Sequence, residues 1–296
     1  MRAYEIIDGE EKISVGCLLY FEKSKSFIIE LREELDEWTA PLLFADKVKH
    51  GTYTIGRDLS RAWVNERVIP LGRQNIDSIL SNARMQSYDE MTLLDKASGR
   101  CSQDNMYIKR LSLIPPFVEN RMRHNLVECV PCKGYSLLCF FADGMVRKVG
   151  LSGLLSGATN SDNAGNGAAD MNVSNREDVG ASAARINAFD IRKVMSNDEV
   201  FESGHIAAGG YCVTFNDSID IDASLLYESG VEIPLSMDDF KSFLRLNIVD
   251  SSECCEILDC SRQNLMNYLS KDQLVPVKKN VKGNLYTKGN VYEIKG

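Results

Sequence analysis

The sequence predicts an α+β protein with two mixed α/β modules followed by a C-terminal module of two short helices and a β-hairpin. Three observations support this prediction. Apolar residues form strand-length runs in the first part of the chain, turn residues separate paired runs in the middle, and capping residues start two closely spaced helices near the end. The predicted modules are residues 1–112, 113–235 and 236–296.

The composition limits the class of protein. The chain has 296 residues, a formal net charge of −8 and nine cysteines. No run approaches the roughly 18 uncharged apolar residues of a membrane helix. An odd number of scattered cysteines is typical of reduced thiols and not of a disulfide framework. We therefore expect a cytoplasmic protein with no membrane partner, in which any nucleic-acid site is a local patch on an acidic chain.

The first module is predicted to begin with strands and to continue with helices. Strand-length apolar runs occupy residues 13–21 and 27–31, and residues 74–85 carry apolar side chains at helical spacing. The pattern from Ser87 to Glu90 matches a capping box, in which the two side chains satisfy each other's backbone N–H groups. This pattern predicts a further helix that starts after Ser87.

The middle module is predicted to contain two β-hairpins and a disordered insertion. Apolar runs at residues 136–141 and 145–151 flank Asp143-Gly144, the dipeptide best suited to positive φ at both turn positions. A second pair of runs flanks the turn at residues 216–218. Residues from about 156 to 186 are rich in Gly, Ala, Ser, Asn and Asp, with too few large apolar side chains to offset the entropy of ordering.

The C-terminal module starts with two helices that carry their own start signals. Asp250 can cap the first helix with Glu253 as its reciprocal partner, and Ser261 can cap the second. The apolar side chains predicted to form the seam between the helices are Cys254, Ile257, Leu258, Leu265, Tyr268 and Leu269.

The opposite face of the second helix is polar, and a lysine-rich hairpin is predicted behind it. The polar face and the helix start comprise Ser261, Arg262, Gln263, Asn264 and Asn267. These side chains are able to read base edges in a major groove, while the helix N-terminus favours a phosphate. The predicted hairpin carries Lys278, Lys279 and Lys282, in the one sustained basic stretch of the sequence.

This segment resembles the excisionase and MerR-type winged helix-turn-helix group. The resemblance rests on DSSECCEILDCSRQ at residues 250–263, on Leu-Val-Pro-Val thirteen residues after Ser261, and on the hairpin that follows. It implies that the helix after Ser261 is the recognition helix and that the hairpin is a wing contacting the DNA backbone. Asp259 and Asp272 replace two glycines usual in that group, and Asp tolerates the left-handed conformation better than most residues.

The two earlier modules carry resemblances of their own. Residues 15–111 resemble the N-terminal subdomain of the HipA toxin kinases, on the segments 15–18, 63–75 and 93–101. No kinase core follows, so this resemblance implies a partner-binding platform. Residues 137–227 resemble a small bacterial α+β module without assigned chemistry, which occurs beside helix-turn-helix or toxin-antitoxin sequences.

Three other groups of residues carry weaker chemical signals. They are Cys129 with Cys132, the histidines His50, His124 and His205, and the aspartates Asp217, Asp220 and Asp222. The cysteines have the spacing of half a zinc site or of a thiol redox pair, the histidines are isolated, and the aspartates alternate along a strand that could gather a cation. Buried thiols, structural histidines and solvated carboxylates are the simpler interpretations. No catalytic residue, metal or cofactor is predicted.

The sequence therefore predicts a bacterial DNA-binding transcriptional regulator and not an enzyme. One winged module covers few base pairs, so specific binding of double-stranded DNA would require a homodimer with two half-sites. The alternative is an adaptor or antitoxin-like protein, in which the N-terminal modules bind protein partners and the helix-turn-helix is degenerate.

Overall fold

The computed structural model describes residues 1–159, 188–233 and 237–271, together with residues 273, 274 and 276. The chain is a mixed α and β protein, and its described residues form three small antiparallel sheets. Internal contacts divide the chain into a first unit, residues 1–242, and a second unit, residues 243–296. The first unit contains both of the predicted N-terminal modules.

The first sheet has five strands: β1 (Arg2–Asp8), β2 (Ser14–Phe21), β3 (Ser26–Leu31), β4 (Thr54–Ile55) and β5 (Met106–Leu111). Their order is β4-β3-β2-β1-β5, and neighbouring strands are antiparallel. The two predicted strands are confirmed as β2 and β3. Almost all of β2 is buried, because Leu18 and Tyr20 face one apolar core while Cys17 and Leu19 face another.

Four helices separate β3 from β5: α1 (Ala45–Lys49), α2 (Arg57–Asn65), α3 (Ile76–Asn82) and α4 (Glu90–Lys96). A 3-10 turn at Leu42–Phe44 precedes α1. The predicted start at Ser87 is wrong. Asp89 is the N-cap of α4, and its carboxylate accepts a hydrogen bond from the Thr92 backbone N–H at 2.8 Å. Asp caps a helix as well as Ser does, and Asp89 is the residue immediately before the helix.

The second sheet follows α5 (Pro116–Met122) and comprises β6 (Leu126–Cys132), β7 (Ser136–Phe141), β8 (Val146–Gly150) and β12 (Val231–Glu232), in the order β12-β8-β7-β6. The predicted hairpin of β7 and β8 is confirmed. Its turn is different, since only Gly144 of the Asp143-Gly144 pair has positive φ, at 89°. The Phe141 N–H donates to the Met145 carbonyl at 2.9 Å, which closes a three-residue loop with Gly144 in the left-handed position.

The third sheet comprises β9 (His205–Ile206), β10 (Cys212–Phe215) and β11 (Ile219–Asp222), in the order β11-β10-β9. The second predicted hairpin is confirmed as β10 and β11. Four helices and a 3-10 turn complete the region: α6 (Leu151–Thr159), α7 (Ala188–Met195), α8 (Asp198–Glu202), α9 (Ala223–Ser229) and the turn Ala208–Gly210.

The predicted disordered insertion begins too early. Helix α6 continues to Thr159, so its last residues are helical where the prediction placed a loop from Ser156. Leu151 and Leu154 anchor the start of α6 in the core, and extending a nucleated helix costs less than starting one. The remainder of the predicted insertion lies outside the described residues.

A third apolar cluster joins the first sheet to the middle of the chain. Val118 of α5 and Tyr211, next to β10, pack against Cys17, Leu19 and Ile28 of the first sheet. The 3-10 turn before Tyr211 approaches β6 closely. A Cβ on Gly210, which has φ of 73°, would lie 2.0 Å from the Leu126 carbonyl oxygen. Only glycine fits at that position.

A buried ion pair crosses the same junction. Glu30 of β3 is fully buried, and its Oε2 accepts hydrogen bonds from Arg121 Nη1 at 2.8 Å and from Thr54 Oγ1 at 2.8 Å. Arg121, on α5, also donates to Glu33 Oε1 at 3.0 Å and to the Leu31 carbonyl at 2.7 Å. The two regions of the first unit therefore share both apolar and ionic contacts.

Helix α10 (Met237–Asn247) spans the division between the two units. The second unit continues with α11 (Ser251–Ile257) and α12 (Arg262–Ser270). The region predicted to form the wing lies outside the described residues.

Candidate nucleic-acid interface

The first helix of the second unit begins as its sequence predicts. Asp250 Oδ1 accepts hydrogen bonds from the backbone N–H groups of Ser252 and Glu253 at 2.7 and 2.9 Å. Glu253 Oε2 in turn accepts from the Asp250 N–H at 2.8 Å. The predicted capping box is confirmed, and it fixes the residue at which α11 begins.

A tight turn of defined geometry links α11 to α12. The Cys260 N–H donates to the Cys255 carbonyl at 3.0 Å, and the Asp259 N–H donates to the Glu256 carbonyl at 3.2 Å. These two bonds form a Schellman motif, whose left-handed residue is Asp259 with φ of 46°. The position usually occupied by glycine in the resembled group therefore does adopt the left-handed conformation.

The second helix starts immediately after this turn. Ser261 is its N-cap, and its Oγ accepts a hydrogen bond from the Asn264 N–H at 3.3 Å. The predicted cap is confirmed. Because the cap directly follows the Schellman motif, the direction in which α12 leaves α11 is fixed by consecutive residues.

The seam between the two helices differs from the prediction at one position. Leu265 is buried, and Tyr268 and Leu269 are half-buried, as predicted for α12. On α11, Ile257 is 71% exposed and does not belong to the seam. The half-buried residues of this helix and its turn are Cys254, Cys255, Leu258 and Cys260. The apolar pattern alone did not separate Cys255 from Ile257, because these residues flank the seam on opposite sides.

The polar residues predicted on α12 are exposed. They are Ser261, Arg262, Gln263, Asn264 and Asn267, and they lie on the helix start and its first two turns. Arg262 Nη2 donates to Ser252 Oγ on α11 at 3.2 Å, an exposed contact that a base edge or a phosphate could replace. All five predicted residues are thus accessible, and they are distributed around the N-terminal end of α12.

Met266 lies on the same helical face as Arg262, although the sequence interpretation omitted it. Its side chain is 63% exposed. It follows Arg262 by four residues, the spacing that places two side chains on one helical face. That spacing was the available signal, and an exposed thioether there can contact a thymine methyl group or an apolar protein surface.

The charges of the helix pair do not themselves attract DNA. Residues 243–271 carry three cations, Arg245, Arg262 and Lys271, against four carboxylates on α11 and its turn, a net charge of −1. The three lysines predicted to grip the backbone, Lys278, Lys279 and Lys282, lie outside the described residues, as does Asp272. The helices carry side chains with hydrogen-bond donors and acceptors, and any attraction of phosphates would have to come from the lysine-rich segment.

The other groups with weaker chemical signals have structural partners in the first unit. Asp220 Oδ2 lies 2.6 Å from Arg57 Nε, and its Oδ1 accepts from Thr214 Oγ1 at 2.7 Å. The His124 ring stacks on Tyr227, with the ring centroids 4.1 Å apart. Within the described residues, no group of three or more His, Cys, Asp or Glu side chains is arranged to hold a metal ion.

Cys129 and Cys132 of β6 do not act as a pair, because an odd spacing along a strand places them on opposite faces. The partner of Cys129 is Cys139 on β7, with the two sulfurs 3.9 Å apart. The contact with Cys139 and full burial together raise the pKa of the Cys129 thiol well above its ordinary value. Cys129 and Cys139 belong to the apolar core between the second and third sheets.

Comparisons with protein-family models, with curated protein sequences and with solved structures found no match for this chain. No helix within residues 1–159, 188–233 and 237–271 combines the length and apolar character that crossing a bilayer requires.

Proposed function

We propose that this chain is a bacterial DNA-binding transcriptional regulator of the winged helix-turn-helix type. The observation that supports this most directly is the exposed polar surface at the start of α12, which follows α11 through a Schellman turn. Arg and Asn side chains form bidentate hydrogen bonds with guanine and adenine edges. A short helix with such residues on its first turns fits a major groove.

Each remaining part of the protein has a role in this proposal. In this proposal Lys278, Lys279 and Lys282 neutralise phosphates as a local basic segment on a chain whose net charge is −8. The first unit binds a protein partner or a second copy, and a homodimer would read two half-sites about one helical turn apart. The protein acts in the cytoplasm and performs no chemistry on the DNA.

The first experiment selects binding sites from a random pool of duplex DNA. The full-length protein is incubated with the pool at low salt, and the retained duplexes are sequenced. We expect an enriched motif with two related half-sites. Retention of DNA without any enriched motif would contradict sequence-specific reading.

Single substitutions then assign the motif to α12. Arg262→Ala and Asn267→Ala should each reduce discrimination against mismatched sites by about 1–3 kcal/mol per lost base contact. Ser270→Ala is the matched control, because Ser270 lies on the same helix and its Oγ donates to the Asn267 backbone carbonyl. Its discrimination should equal that of the unsubstituted protein.

A second candidate function is protein docking through the same unit, and the exposure of Ile257 favours it. This side chain is 71% exposed beside the carboxylates of α11, so an apolar and basic partner surface would complement it. Ile257→Ser distinguishes the two functions. If the unit reads DNA, the Ile257→Ser variant should retain the selected motif. If the unsubstituted protein selects no motif and Ile257→Ser abolishes its biological activity, docking is favoured.

A further inference from the structure

The cysteines of the second unit differ from most of those in the first. Cys254, Cys255 and Cys260 are half-exposed, whereas Cys17, Cys129, Cys132, Cys139 and Cys212 are buried. These three thiols of the second unit lie on α11 or in the turn that follows it. A small molecule can therefore reach this part of the helix-turn-helix without unfolding of the core.

The Schellman turn selects one pair among these three thiols. In this motif the residue just after the left-handed one often packs its side chain against the residue whose carbonyl accepts its backbone N–H. Those residues are Cys260 and Cys255, joined by the 3.0 Å backbone hydrogen bond. The side chains that usually form a small apolar contact are here two thiols.

The surroundings of Cys260 agree with this contact. Its pKa is raised by burial and further by the Cys255 thiol. Cys254 acts on Cys260 only through its charge, and more weakly. The effect of Cys255 on the pKa of Cys260 is therefore larger than that of Cys254.

We propose that Cys255 and Cys260 are a reversible disulfide pair that closes the turn of the helix-turn-helix. The site requires an oxidant of the low-molecular-weight disulfide class. It does not depend on whether the unit binds DNA.

The reaction is two successive thiol–disulfide exchanges. One cysteine, as its thiolate, attacks a sulfur of the small disulfide, forms a mixed disulfide and expels one small thiolate, which takes up the released proton. The second cysteine attacks the protein sulfur of that mixed disulfide and expels the second small thiol. The two cysteines lose two electrons and two protons, and one small disulfide becomes two thiols.

Closure would act directly on the helix that carries the exposed polar surface. Cys260 immediately precedes Ser261, the N-cap of α12, and Cys255 lies in the last turns of α11. A covalent bond between them restricts the angle at which α12 leaves the turn. We expect slower amide hydrogen exchange in the first turn of α12 in the oxidised protein.

The test uses glutathione disulfide as the oxidant and the full-length protein. Acid quenching and alkylation under denaturing conditions precede trypsin digestion. Cleavage after Arg245 and Arg262 yields one peptide, residues 246–262, that contains Cys254, Cys255 and Cys260 and no other cysteine. Oxidation should produce a peptide that has lost two hydrogens and carries one alkyl group. Dithiothreitol should return it to three alkyl groups.

Two adjacent substitutions assign the bond. Cys254→Ala should keep the disulfide and leave no alkylated thiol. Cys255→Ala should lower the equilibrium constant for disulfide formation in this peptide at least about tenfold, equivalent to about 30 mV in reduction potential. The proposal is overturned if Cys255→Ala forms the disulfide as readily as the unsubstituted protein, or if Cys254→Ala abolishes it.

The buried pair in the first unit is an internal control in every digest. Cys129 and Cys139 have sulfurs 3.9 Å apart but lie in the core, in different tryptic peptides. They should remain unlinked under the same treatment, because proximity without access is insufficient. Far-UV circular dichroism of each variant checks that the helices persist, and linked Cys129 and Cys139 without a bond at Cys260 would contradict the proposal.

Discussion

At the scale of single residues, Glu30 combines complete burial with an ionisable group. Burial raises its pKa above the usual 4.5, and Arg121, then Thr54 and Tyr211, counter part of that rise. Because the pKa is raised in the folded state, Glu30 contributes its full stabilisation below about pH 4.5 and loses it as the pH rises through the raised pKa. Arg121 limits that loss by pairing with the carboxylate.

Removing the cation should therefore be costly at neutral pH. Arg121→Met leaves Glu30 buried without its positive partner and should lower the free energy of unfolding by about 3–5 kcal/mol near neutrality. The cost should shrink in acid, where Glu30 binds a proton. Urea unfolding in a Trp38→Phe background, followed by Trp63 fluorescence, measures both values, since Trp63 is buried in the core beside the first sheet.

Glu33 provides the matched control, because the same arginine binds it at the surface. Its side chain is 71% exposed, so Glu33→Gln should cost less than about 1 kcal/mol. Glu30→Gln should instead remove the pH dependence attributed to this site. An unchanged pH profile in Glu30→Gln would show that another group produces it.

At the scale of elements, the turn between α11 and α12 depends on a residue that is not glycine. Asp259 has φ of 46°, and an alanine there would adopt the left-handed conformation at a cost of about 1–2 kcal/mol. Asp259→Ala should loosen the helix pair, whereas Asp259→Gly should preserve or strengthen it and also remove a carboxylate near the polar surface.

Hydrogen exchange in the full-length protein measures this difference. Amides of residues 251–270 should exchange about 5–30 times faster in Asp259→Ala than in Asp259→Gly. Asp217 also has positive φ, at 54°, but lies in the first unit, so Asp217→Ala should leave these amides unaffected. Equal amide exchange rates in both Asp259 variants would show that the conformation of the turn does not stabilise the packing of the two helices.

At the scale of the whole molecule, the first unit should unfold as one body. The cluster of Cys17, Leu19, Ile28, Val118 and Tyr211 joins its first sheet to the middle of the chain. A destabilising substitution in the middle of the chain should consequently lower the free energy of unfolding of the region around the first sheet, and the reverse should also hold.

Leu226→Ala tests this coupling. Leu226 is fully buried in the core between the second and third sheets, and its truncation should cost about 2–5 kcal/mol. In a Trp38→Phe background, the unfolding midpoint reported by Trp63 should fall with it. Leu42→Ala, at a side chain that is 94% exposed, should leave that midpoint unchanged. If Leu226→Ala leaves the unfolding midpoint reported by Trp63 unchanged, the first unit unfolds as two separate parts.

The proposed DNA contact gives a further prediction at this scale, because it requires a local basic segment on an acidic chain. If Lys278, Lys279 and Lys282 each neutralise one phosphate, the triple alanine variant should flatten the log–log salt slope of binding by about 2.7. Fluorescence anisotropy with labelled duplex measures the slope. Replacing the exposed Lys96, Lys109 and Lys133 should not change it.

The sequence by itself determined the local features of this protein. The strands β2 and β3, both predicted hairpins, the capping box at Asp250 and the cap at Ser261 follow from neighbouring residues, because strand alternation, turns and caps depend on side chains a few positions apart. The exposure of the polar residues at the start of α12 agrees with the same helical period, which assigns the buried and half-buried positions to Leu265, Tyr268 and Leu269. Where two local signals competed, as at Ser87 and Asp89, the pattern alone selected the wrong cap.

Only the tertiary structure decided which distant residues meet. The ion pair of Glu30 with Arg121, the facing thiols of Cys129 and Cys139, and the close approach of Gly210 to Leu126 join segments remote in sequence, and no local period encodes such contacts. The exchange of Ile257 for Cys255 in the helix seam has the same cause. Burial is fixed by the neighbour that a side chain packs against, and hydrophobicity alone does not choose that neighbour.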